Sequence, residues 1–154
     1  MKLQQAHIWF ARLAMALIVT FWGSTIVVEL TGDPDLIYQV KNAIFYAIWL
    51  LVLAMAVTGI SGAKLAGTRS SGLIGRKKKR MRFVALNGVF ILIPAAIYLR
   101  SLAAAGDFGS TFYTVQALEL LAGAVNLILM GFNIRDGLRL STATQKPMAA
   151  EGSG

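Results

Sequence analysis

The 154-residue sequence contains no cysteine, one histidine, three prolines and seven acidic residues. Without cysteine there is no disulfide framework, thiolate metal site or cysteine nucleophile. With His7 as the only imidazole, most metal sites and bis-imidazole haem ligation are excluded for a single chain. Charge is scarce as well: 14% of residues are charged, against roughly 25% in an ordinary soluble domain. No Ser-His-Asp set, paired carboxylates or metal-ligand spacing is present, which argues against an enzyme acting alone.

In place of these the chain has long apolar runs, and 56% of its residues are hydrophobic. Each of four runs, at about 8–30, 37–60, 83–104 and 111–133, is long enough for a helix across a bilayer core, which takes about 20 residues. The first run is too long for the apolar segment of a secretory signal and has no clear small-residue cleavage site, so it reads as a retained helix. Gly32-Asp33-Pro34-Asp35 and the stretch Ala105 to Ser110 are short turns. Residues 61–82 are rich in Gly, Ser, Lys and Arg and read as a solvated basic loop. The tail 141–154 reads as polar and disordered. The expected fold is therefore an all-α integral membrane protein, a single antiparallel bundle of four transmembrane helices over residues 1–140.

The formal charge of +8 is local, because eight of the fifteen Lys and Arg lie between Lys64 and Arg82. Lys and Arg concentrate on the cytoplasmic side of membrane proteins, so loop 61–82 and both termini are expected inside, with the turns around Asp33 and Asp107 outside. The run Arg76, Lys77, Lys78, Lys79, Arg80 sits between two spans and is expected to contact anionic lipid rather than nucleic acid. In an organism whose plasma membrane is built this way, the setting is a bacterial inner membrane.

The fourth run carries polar groups where hydrocarbon offers them no hydrogen bonds. At about 100° per residue, Gln116, Glu119, Gly123, Asn126 and Asn133 share an arc of roughly 100°, opposite Leu118, Leu121, Val125 and Phe132. That seam must face other helices or a wet cavity. Asn87, Pro94, Tyr98 and Ser101 share one face of the third run by the same count. Short turns join neighbouring helices, and depth then pairs Tyr98 with Glu119 and Asn87 with Asn126. An acid at this depth is expected uncharged unless a cation reaches it, and Arg100 is the nearest cation by this arithmetic. Pro94 should leave a carbonyl near Phe90 without its helix partner and kink the third span.

Arg12 is expected to snorkel to the surface, with Asp136 as its alternative partner. His7, at the membrane edge beside Trp9, is a weak haem ligand on position alone, and no cofactor is expected. Trp9, Trp22, Trp49, Tyr38 and Tyr113 mark interfaces or helix packing. Small multidrug transporters also have four spans and an intramembrane glutamate, but theirs lies in the first span and this one in the fourth, so no residue carries over. Three functional expectations follow. The first is a homo-oligomer or small subunit whose polar seam serves proton-coupled or small-solute transport. The others are a structural or assembly subunit of a larger membrane complex, and a redox anchor for haem or quinone.

Overall fold

The computed structural model describes the backbone of residues 2–68 and 71–150, and the side chains of 2–68 and 71–138. Among the described residues there is no strand. Helix α1 runs Leu3–Thr31, α2 Pro34–Ala66, α3 Gly72–Asn87, α4 Ile93–Ala104 and α5 Ser110–Ala150. A π-helical turn, Gly88–Leu92, joins α3 to α4 into one third span. Four helices are thus long and apolar enough to cross a membrane, as a multi-pass membrane protein requires.

The first turn shows how local chemistry sets the boundaries. Gly32 closes α1 with φ +65°, a left-handed conformation that suits glycine. The Asp33 carboxylate then accepts from the backbone N–H of Asp35 at 2.9 Å and of Leu36 at 3.3 Å. Pro34 follows at the first helical position, where its missing N–H costs nothing. The chain reverses within two residues, and α2 begins three residues before the expected 37.

The segment 61–82, expected as a solvated loop, is mostly helix. Helix α2 continues to Ala66 and α3 starts at Gly72, so the basic run Arg76 to Arg80 is helical. Lysine and arginine are good helix formers and no proline interrupts this stretch; a polar composition says that a segment meets water, not that its backbone is irregular. Helix α5 likewise continues through most of the expected disordered tail, to Ala150. Residues 151–154 of that tail lie outside the described residues.

Pro94 acts one step differently from a simple break. The N–H of Ile93 reaches back to the carbonyl of Gly88, five residues earlier, and the widened turn absorbs the bond that proline cannot make. One extra residue in a turn rotates everything beyond it by roughly 100° relative to a regular helix. Above the turn α4 packs on both α2 and α5; below it α3 packs on α5 and barely touches α2. Helix α1 lies along α2 and, less extensively, along α5. The helices therefore form a ring in which α2 and α5 are diagonal: no described Cα of one lies within 8 Å of a Cα of the other.

Two apolar clusters fill the ends of this ring. Val28, Ile37, Leu99, Ala103 and Phe112 form one; Ala14, Ile18, Ala54, Val84 and Met130 form the other. On α1, α2 and α5 the polar side chains described next fall between the two clusters or at their edge.

Candidate functional site: a buried charge cluster on the diagonal

Lys41 lies on α2 two turns past Pro34 and is 1% exposed. Its Nζ meets Glu119 Oε2 of α5 at 2.7 Å, and the Glu119 side chain is 12% exposed. Gln116, one turn earlier on α5, donates from Nε2 to the same oxygen at 3.0 Å. Only a long side chain can bridge the diagonal, and lysine does so while α2 and α5 stay apart. Glu29 of α1 is the third charged member. It lies in the field of both Lys41 and Glu119, and its Oε1 is buried with no hydrogen-bond partner among the described residues.

The cation at Glu119 is thus Lys41, and Arg100 is engaged elsewhere. Arg100 Nε donates to Asn42 Oδ1 at 3.2 Å, with its guanidinium 4.9 Å from the Phe45 ring centre. The expected Tyr98 to Glu119 bond does not form, because Tyr98 is 46% exposed and its neighbour Leu99 faces inward instead. The π-helical turn explains this: Tyr98 lies beyond it and is rotated off the face that a regular helix would give. Asn87 lies before it and keeps that face. Its Nδ2 donates to Asn126 Oδ1 at 2.8 Å and to the Ala122 carbonyl at 2.9 Å. Asn126 Nδ2 in turn donates to the Val84 carbonyl at 3.3 Å. Asn133, further along α5, is buried, and neither of its amide atoms has a partner among the described residues.

Beneath the charge cluster Trp22 of α1 crosses α5. Its Nε1 donates to the Leu120 carbonyl at 2.9 Å, and a Cβ on Gly123 would lie 3.0 Å from its Cδ1. Glycine is what lets the indole pass so close to the helix backbone. A small cavity of about 60 Å³ touches Trp22, Thr25, Glu119 and Gly123. Its walls are almost wholly apolar, with Glu119 and Thr25 the polar residues that line it besides Trp22. The cavity shares Ile18, Ile48, Leu51 and Leu92 with a larger groove of about 700 Å³ between α2 and the third span.

The other sequence candidates sit at the far end. Asp136 is buried and takes Arg80 at 2.6 Å and Arg135 at 3.3 Å. Arg12, the alternative partner offered to Asp136, is exposed. Arg80 thereby turns inward from the basic run, Arg76 and Lys79 are exposed, and Lys77 and Lys78 are part-buried. His7 Nδ1 lies 3.1 Å from both the Thr58 carbonyl and Ser61 Oγ; a carbonyl only accepts, so the bond to Thr58 needs the ring proton on Nδ1. The ring passes over Gly62, where a Cβ would approach it to 3.0 Å, and so locks α1 against α2.

The member that sequence reasoning missed is Lys41, together with Glu29. In the spans expected from run length, 8–30 and 37–60, both stand close to an end. The signal for Lys41 was Asp33-Pro34, a helix cap and a first-turn proline: starting α2 there places Lys41 seven residues, or about 10 Å, inside the helix, near the level of Glu119. Comparison of the chain with protein-family models, with curated proteins and with solved structures finds no match.

Proposed function

We propose that this chain is a multi-pass protein of a bacterial inner membrane that moves protons, alone or coupled to a small solute, through the Lys41, Glu119 and Glu29 cluster. One observation carries this reading: a buried ammonium pairs with one part-buried carboxylate and lies in the field of a second, whose Oε1 is buried with no hydrogen-bond partner among the described residues. Isolated charge is costly there, so one lysine balances one glutamate and the second glutamate is balanced by a proton. A site that must hold one mobile proton among three groups, with Glu119 bordering a small cavity, has the elements of a proton relay. The inner apolar cluster lies between the site and the end of the bundle that carries His7 and Asp136, while Glu29 stands level with the outer cluster, at the other end. The chain works as a homo-oligomer or as the small subunit of a larger complex.

Purified protein in liposomes tests this. With an imposed membrane potential, the internal pH should follow the potential faster than in protein-free liposomes; identical rates would leave the cluster a packing device and favour a structural or assembly subunit.

The proposed orientation is antiparallel with both termini and the α2 to α3 turn in the cytoplasm. Two things support it: the Lys and Arg bias, and the contacts of His7 with Ser61 and of Arg80 with Asp136, which join the first half of one helix to the second half of its neighbour. Alkaline phosphatase fused after Gly109 should be active and after Ser141 inactive. The reverse pattern would overturn the orientation.

A further inference from the structure

The groove of about 700 Å³ lies between α2 and the third span, and exists because the π-helical turn carries α4 onto α2 while leaving α3 apart from it. Its walls are apolar, from Leu51, Met55, Val84 and Leu92 among others, and it opens outward where Ile60 and Val89 are exposed. Cations stand at one end only. Lys77, Lys78 and Arg82 line that end, close to the ends of α1 and α2 marked by His7 and Gly67. Lys78 Nζ donates to the Gly67 carbonyl at 2.9 Å, Lys77 Nζ lies 3.4 Å from where a Cβ on Gly137 would stand, and Arg82 is exposed with no acidic partner among the described residues.

The geometry points to a binding site for one anionic phospholipid, with an acyl chain in the groove and the phosphate against Lys77, Lys78 and Arg82. Three observations carry this. Charge complementarity is confined to one end, which is what a molecule with an anionic head and an apolar tail requires. From Arg82 to Ile93 the wall spans eleven residues, or roughly 16 Å, about half of the ~30 Å hydrocarbon core; the apolar part is therefore one leaflet deep. The volume suits a ligand portion and not a whole two-chain lipid, so the second chain stays in the bilayer, reached through the opening at Ile60 and Val89. Hydrocarbon is also the only abundant filling for an apolar groove that opens within the membrane. The other cations of the run do different work: Arg80 holds Asp136, and Arg76 and Lys79 face outward as general surface charge.

The full-length protein in nanodiscs of phosphatidylcholine, with phosphatidylglycerol as the minor lipid, tests the site. After transfer to detergent, the lipids still attached are counted by native mass spectrometry. Wild type should keep one phosphatidylglycerol per chain. The pair Lys78→Gln and Arg82→Gln should weaken that retention about 30-fold, since each cation near the surface contributes a roughly equal factor. Gly59→Phe leaves every charge in place and fills the groove, for a Cβ there meets no atom within 4 Å; it should abolish retention. Thermal unfolding of each variant must match wild type; if Gly59→Phe melts early it is replaced by Gly88→Leu, whose Cβ is likewise unobstructed, and if the charge pair melts early Arg82→Gln alone is read, with a loss of about 5-fold. Equal retention of both lipids in wild type, a free fatty acid in place of phospholipid, or full retention in the groove-filled variant would each overturn the assignment.

Discussion

Replacing Lys41 with leucine should lower the unfolding free energy by about 3–5 kcal/mol, and adding Glu119→Leu should restore most of the loss. The single change leaves Glu119 inside the protein with only Gln116 to bond it, and Glu29 beside it with an oxygen already unpartnered. Taking one member from a buried pair strands the other's charge, which is why the single loss exceeds anything the pair contributed when complete. The double change removes both charges, and two leucines across the diagonal fill comparable space. Helices α2 and α5 have no close backbone approach to fall back on, so the side-chain bridge is what relates them. Thermal unfolding in detergent, followed by circular dichroism, reads both variants. A double variant as unstable as the single one would mean that the lysine stabilises the protein by some route other than Glu119.

Glu119→Gln should keep the fold and lower proton flux by at least roughly 100-fold, the lower end of what a positioned acid or base contributes. Glutamine retains the shape and can still accept from Gln116, while Glu29 remains near Lys41 as its counter-charge. What glutamine cannot do is take up and release a proton. Glu29→Gln should lower flux as well, with Lys41 and Glu119 still paired at 2.7 Å in a folded protein. Changing both glutamates leaves Lys41 without an anion, and that protein should lose stability on the scale of the Lys41→Leu variant. Flux in liposomes and the melting curve must be taken together. A Glu119→Gln protein that unfolds would show a fixed ion pair holding the helices, and one that conducts normally would remove Glu119 from the path.

How far the sequence carries depends on which local rule each residue obeys. The four spans follow from run length alone, and all four helices are there. The seam on α5 follows from a regular 3.6-residue period, and Gln116, Asn126 and Asn133 are all buried. On the third span the same period holds for Asn87, where the helix is regular, and fails for Tyr98, where the π-helical turn has inserted an extra residue. Pro94 announced a disturbance but not its form, since a kink and a widened turn both dispose of the missing bond. A second span begun at 37 puts Lys41 near its mouth, whereas the Asp33-Pro34 cap places it two turns inside α2. Glu29 needed more than sequence: nothing in its own helix says that it shares a space with charges from α2 and α5.

On the proposed function, Lys41, Glu119 and Glu29 together hold one exchangeable proton. Infrared spectroscopy of the purified protein in lipid at neutral pH, with exchange into heavy water, tests it most directly, because a protonated carboxyl has a carbonyl band separate from that of a carboxylate. One such deuterium-sensitive band is expected in wild type, and its loss in each of the folded single variants Glu29→Gln and Glu119→Gln, where the remaining glutamate pairs with Lys41. Absence of the band in wild type, or its persistence in both single variants, would contradict this charge balance.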